Sequence, residues 1–241
     1  MENCVSDLLL SARSLREVFF PRKCVVCGSY LSLDEQDVCE ACLEELPLTY
    51  QWDIVQHAGF ERLARRFEVQ DVAALFFFGA ESDYRKILYS IKYGGRRALG
   101  RRMGTLLGGY LAGSRGFGGC QAVVPVPLHP LRRWKRGYNQ SEEIARGVAA
   151  AMNLPLETAL LRRHRRTKTQ THLSGSAKTA NVQGAFRINA DCARTLQAQG
   201  IRHLLLVDDT LTSGSTLAAC AAPLLEAGFQ ISCTTLAIVP A

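Results

Sequence analysis

The chain has 241 residues, 47% hydrophobic and 21% charged, which is enough apolar side chain to bury a core and excludes the disordered and fibrous classes. Its formal net charge of +7 favours anionic ligands, and basic residues gather at Arg132, Arg133, Lys135 and Arg136 and again at Arg162, Arg163, Arg165, Arg166 and Lys168. Nine cysteines, an odd number without a secretory leader, point to reduced thiols rather than a disulfide framework.

Taken in chain order, the first predicted element is an amphipathic helix with an apolar stripe at Val5, Leu8, Leu9, Ala12, Leu15 and Phe19, interrupted by Asp7, Arg13, Arg16 and Glu17. Those charges rule out a signal peptide. Residues 24–42 form a short segment poor in large apolar residues, which needs a staple to fold. From about Asp71 strand-like and helix-like runs alternate, the mark of an α/β layer with a mainly parallel sheet. Strands are expected at residues 72–78, 122–127, 203–207 and 231–239, and helices at 84–92, 99–111, 141–152 and 215–227. Residues 162–184 are polar, threonine-rich and basic, with the character of a functional lid. The expected division is residues 1–50, an N-terminal helix with a metal module, and residues 51–241, the α/β domain. No run approaches the roughly 20 apolar residues of a membrane-spanning helix, so the expectation is a soluble, cytoplasmic protein without membrane insertion.

Cys24 and Cys27, followed after eleven residues by Cys39 and Cys42, have the paired spacing of a zinc knuckle. Each CxxC turn aims two sulfurs at one point, and Gly28 suits the tight turn. Redox CxxC motifs come singly, so a structural, fully protein-ligated zinc is expected. Cys4, Cys120, Cys192, Cys220 and Cys233 are scattered and read as small hydrophobes.

The apolar run Leu204, Leu205, Leu206 and Val207 reads as a buried parallel strand that delivers Asp208 and Asp209 to the carboxyl edge of the sheet, where α/β proteins bind ligands. Thr210, Leu211, Thr212, Ser213, Gly214, Ser215 and Thr216 then lead into a helix. Hydroxyls and N–H groups at a helix N-terminus cradle phosphate, and two carboxylates beside them accept hydrogen bonds from a ribose diol. That pairing points to a sugar phosphate. Neither G-x-x-x-x-G-K-[ST] nor a strand-borne G-x-G-x-x-G occurs, so motor-type ATP chemistry and a dinucleotide fingerprint are unsupported.

Residues 204–216 resemble the phosphoribosyl-pyrophosphate (PRPP) signature of type I phosphoribosyltransferases. With the cysteine quartet, Ile91-Lys92-Tyr93-Gly94, Val124-Pro125-Val126-Pro127, Arg136-Gly137-Tyr138-Asn139-Gln140, residues 167–173 and residues 181–186, the chain resembles the ComF family of competence and DNA-utilisation proteins over nearly its whole length. The resemblance implies a type I phosphoribosyltransferase fold with a small N-terminal zinc module. By it Asp208 and Asp209 hold the ribose hydroxyls, as the candidate catalytic pair, and residues 210–216 surround the 5′-phosphate. The loop after Val124 would hold pyrophosphate, with Arg136 and Asn139 the first candidates, and Lys92 would add a cation. Magnesium would accompany PRPP. Two functions follow from this reading: phosphoribosyl transfer to an unidentified acceptor, or a non-catalytic PRPP- or nucleotide-sensing module acting through single-stranded DNA or DNA-uptake proteins.

Overall fold

The computed structural model describes residues 21–79, 81–164 and 184–240. The expected N-terminal helix and most of the expected lid lie outside the described residues. The segment that carries the cysteine quartet holds one short helix, α1 (Glu40–Glu44), which begins directly after Cys39.

Four parallel strands form the sheet: β1 (Val72–Phe77), β2 (Ala122–Pro125), β5 (His203–Leu211) and β6 (Gln230–Ile238), in the order β1-β6-β5-β2. The unbroken apolar run at the start of β5 is explained by burial on both faces. Leu205 and Val207 point into one core with Ile87, Leu107 and Ile144, whereas Leu204 and Leu206 point into the other with Leu63, Leu217 and Leu224. The first face is covered by α3 (Arg85–Tyr93), α4 (Arg97–Ala112) and α6 (Gln140–Met152), the second by α2 (Ala58–Ala64), α7 (Ala190–Ala198) and α8 (Ser215–Glu226). The expected α/β architecture, a parallel sheet flanked by helices, is thus the one observed.

Each edge strand has a further neighbour, which shortens the open ladder available for stray pairing. Residues 47–49 run antiparallel to β1, with Phe77 N–H donating to Pro47 O at 2.8 Å, and residues 155–157 pair with Val123 beside β2. Helices α4 and α6 approach so closely that a Cβ on Gly104 would stand 2.1 Å from Ile144 O, and one on Gly147 2.0 Å from Arg101 O. Glycine is required at these two positions because backbone, rather than a movable side chain, fills the space. This close packing fixes the N-terminus of α6, which reaches the carboxyl edge of the sheet.

The structure differs locally from the sequence reading. Strand β5 does not stop at Val207 but continues through both aspartates to Leu211, because β6 keeps pairing with it until Leu211 stands opposite Ile238. Strand β2 ends at Pro125, so the far end of β5 loses its neighbour on that side and the acid pair stands over a gap. The basic turn at residues 130–136 is a short helix, α5 (Pro130–Arg136), started by proline in the first turn and by the His129 ring accepting from Leu131 N–H, and closed by left-handed Gly137. The ends of the expected lid pair as β3 (Leu161–Arg163) and β4 (Phe186–Ile188). Helix α2 falls where the sequence pattern predicts none. Among the described residues no helix is long and apolar enough to cross a membrane.

Candidate functional site

At the carboxyl edge, β5, α3, α5, α6 and the turn after β2 enclose a cleft of about 460 Å³. Of the residues singled out from sequence, Lys92, Arg136, Asn139, Asp208, Asp209, Thr210, Thr212 and Thr216 line it. Leu211 does not; it is 1% exposed and belongs to the core. Ser213, Gly214 and Ser215 form the turn into α8 next to this lining, with the Ser213 and Ser215 hydroxyls 3.0 Å apart. Gly214 has φ +75°, the left-handed conformation that glycine adopts without strain.

Neighbouring carboxylates repel, and most of the polar contacts in the cleft answer that repulsion. Ser141 Oγ donates to Asp208 Oδ1 at 2.9 Å, as does the Asp209 N–H, also at 2.9 Å. Gln140 Nε2 donates to Asp209 Oδ2 at 2.7 Å, and Lys92 Nζ lies 2.8 Å from Asp209 Oδ1. Burial, reinforced by the charge on Asp209, raises the Asp208 carboxyl to about 7. Between the ordinary carboxylate range and that value the folded chain holds a proton that the unfolded chain has released, so this group opposes folding as pH rises through the window. Lys92, expected as a cation for the ligand, lines the cleft and is paired there with Asp209.

The second wall is cationic. Arg136 donates to Gln140 Oε1 and places its guanidinium 5.2 Å from the centre of the Tyr93 ring, so it is tied indirectly to the acid pair through Gln140. Asn139 stands at the cap position of α6, yet its side chain makes no capping bond. It turns inward, donating through Nδ2 to Val126 O at 3.0 Å, and its buried Oδ1 has no hydrogen-bond partner among the described residues. A buried acceptor left unsatisfied is costly. Gln140 and Ser141, which the sequence reading did not single out as site residues, also line the cleft. Their signal is the polar run opening an otherwise amphipathic helix, and both are buried.

The four predicted metal cysteines come together: the Sγ atoms of Cys24, Cys27, Cys39 and Cys42 all lie within 4.8 Å of one another. A tetrahedron with zinc–sulfur bonds of about 2.3 Å has sulfur–sulfur edges of about 3.8 Å. The Cys27–Cys39 separation is 3.7 Å, so the donor set fits that ion. The Ser29 hydroxyl and N–H lower the Cys27 thiol to about 6, a value that favours the thiolate a metal takes. For Cys24, burial resists ionisation but the N–H groups of Cys39, Cys27 and Val26 prevail and lower it, whereas burial pushes Cys42 up. The module is fastened to the α/β layer: Lys86 Nζ donates to Val26 O at 2.8 Å, Tyr84 Oη to Cys42 O at 3.1 Å, and Arg96 pairs with Asp37 at 2.7 Å. Of the other described cysteines, Cys120, Cys220 and Cys233 are buried and Cys192 partly so, as small hydrophobes should be.

No family model matches the chain. Among curated proteins, the DNA utilization protein YhgH of Salmonella typhimurium is 32% identical over 154 residues, 61% of this chain and 65% of the relative. The DNA utilization protein YhgH of Escherichia coli K12 is 32% identical over 145 residues, covering 59% and 61% of the two chains. Competence protein F of Haemophilus influenzae is 27% identical over 196 residues, 80% of this chain and 74% of the relative. The match therefore spans a little under two thirds of each of these two YhgH relatives, and the expected resemblance to competence and DNA-utilisation proteins is borne out.

Because Cys24, Val26, Val38, Cys42 and Leu46 share one core with Ile87, Leu99 and Met103, loss of the metal should be felt beyond the module. Elemental analysis of the native chain should find about one zinc per chain, and Cys42→Ser should lose it and unfold at lower urea concentration. Equal zinc content in the native and Cys42→Ser chains would contradict this assignment.

Proposed function

We propose that the strand-end cleft binds PRPP and that the chain transfers its phosphoribosyl group to a nitrogen acceptor in a process connected with DNA uptake or utilisation. The observation that carries this reading is the juxtaposition, in and beside one cleft, of a buried acid pair, a hydroxyl-and-glycine turn at the N-terminus of α8, and a facing cationic wall. Each part answers one part of the ligand: the carboxylates take the ribose diol, the turn takes the 5′-phosphate, and Arg136 takes pyrophosphate. The connection with DNA rests on the names of the relatives, competence and DNA utilization proteins. The division into residues 1–50 and 51–241 and a cytoplasmic setting belong to the same reading.

Phosphoribosyl transfer breaks the C1–O bond to pyrophosphate while positive charge develops on the sugar ring. Asp208 and Asp209 orient the diol and stabilise that charge, and Arg136 offsets the negative charge on the departing oxygens. The two aspartates and the ligand's own oxygens would supply the hard donors that magnesium takes, and the ion would neutralise part of the leaving-group charge. On this reading one of the aspartates also takes the acceptor's proton.

A second reading, a PRPP-binding module that acts through single-stranded DNA or protein partners without chemistry, is favoured by one surface beside the cleft. Lys92, Tyr93, Arg132, Lys135 and Arg136 line an adjoining hollow, Tyr93 is 72% exposed and packs against the Tyr89 ring, and Trp134 on α5 is 81% exposed. Cations interleaved with exposed rings suit unstacked bases.

Two measurements separate these readings. With magnesium and a panel of nitrogen bases, the native chain should release pyrophosphate from PRPP, and Asp208→Asn and Asp209→Asn should each weaken PRPP binding by about tenfold or more, as loss of hydrogen bonds to a charged group implies. Absence of PRPP binding by the native chain removes both readings, and binding without turnover leaves the second. For the second, Trp134 is the reporter, since the other tryptophan, Trp52, is buried. A single-stranded oligonucleotide should quench tryptophan fluorescence, and Trp134→Phe should weaken its binding by about tenfold. Unquenched fluorescence at saturating oligonucleotide would remove the DNA surface.

A further inference from the structure

Helix α2 lies against the turn that leads into α8, and its side chains hold that turn from behind. Arg62 Nη1 donates to Thr212 O at 2.7 Å and to Val239 O at 3.0 Å, so one guanidinium nitrogen bridges the segments leaving β5 and β6. Leu63, fully buried, fills the space under Gly214: a Cβ there would stand 2.5 Å from Leu63 Cδ2. The helix is itself anchored to the sheet. His57 Nε2 lies 2.8 Å from Val72 O, and its Nδ1 accepts the N–H groups of Gly59 and Phe60. Since Val72 O is an acceptor only, Nε2 carries the proton.

Peptide geometry gives the Arg62 contact a consequence for the turn. In a planar trans peptide the C=O of one residue and the N–H of the next point in opposite directions. A guanidinium that captures the Thr212 carbonyl from the α2 side therefore turns the Ser213 N–H away from α2. It also keeps the carbonyl dipole from facing an anion. A turn that binds phosphate through its N–H groups needs that orientation before the ligand arrives, because reorienting it afterwards costs affinity.

We propose that Arg62 is a positioning residue for the anion-binding turn at residues 212–216, acting through the Thr212 carbonyl and not by touching ligand. The inference rests on the reading that this turn receives the 5′-phosphate. It assigns a role to a helix that neither the strand pattern nor the signature segment announced.

The test compares the native chain with Arg62→Leu and Arg62→Lys, using ribose 5-phosphate and inorganic pyrophosphate as probes and following amide hydrogen exchange at residues 213–216. Arg62→Leu should weaken ribose 5-phosphate by about tenfold, the scale of losing a hydrogen bond from a charged donor, and leave pyrophosphate unchanged. Arg62→Lys should recover part of the loss, and the amides of the turn should exchange faster in Arg62→Leu than in the native chain. General destabilisation would instead lower both affinities together, and that result, or unchanged exchange at residues 213–216, overturns the proposal. If the native chain binds no ribose 5-phosphate, the proposed function fails by itself, and the exchange measurement still decides whether Arg62 fixes the turn.

Discussion

Two carboxylates on consecutive residues, Asp208 and Asp209, are nearly removed from solvent at the end of β5, and the surrounding structure is arranged to tolerate them. Burial and mutual repulsion both favour the neutral form, hence the raised Asp208 carboxyl. What keeps the pair in place comes from three side chains: Lys92 at the end of α3, and Gln140 and Ser141 at the start of α6. Helix α6 reaches that position only because Gly104 and Gly147 let α4 and α6 approach backbone to backbone. The acid pair therefore couples the helical layer on one face of the sheet to the cleft at its edge.

The same constraint explains how much of the molecule was legible in the sequence. Strands buried on both faces read as continuous apolar runs, and the four strands of the sheet lie where Val72, Ala122, Leu204 and Ile231 announced them. The cysteine quartet was legible because metal geometry dictates spacing. Helix α2 was not: Gly59, Glu61 and Arg62 interrupt any apolar stripe in so short a segment, and its stability comes from tertiary anchoring through His57, Arg62 and Leu63. Asparagine commonly caps helices, but at Asn139 the carbonyl of Val126 competes for the amide and turns it into the cleft. Gln140 and Ser141 were obscured for a related reason, since polar residues in a first helical turn read as capping until the tertiary structure shows them facing buried carboxylates. The extension of β5 through the acids depends on where β2 and β6 end, which is a property of the sheet and not of the segment.

The metal module is more than an appendage in packing terms. Cys24, Cys42, Val26, Val38 and Leu46 join the core under α3 and α4, and the segment that follows the module covers the free edge of β1. A metal that orders residues 24–42 thereby supports α3, the helix that carries Lys92 to the acid pair. At the opposite side of the sheet, α2 supports the hydroxyl turn. The cleft is held between two supports that contribute none of its lining residues.

The central claim is that one cleft accommodates both the phosphoribosyl and the pyrophosphate halves of PRPP. A calorimetric titration of the native chain with PRPP, ribose 5-phosphate and pyrophosphate, each with magnesium, tests it most directly. The account predicts a single site at which PRPP binds more tightly than either half and each half displaces it. PRPP binding no tighter than pyrophosphate alone would show a general anion site and contradict the account.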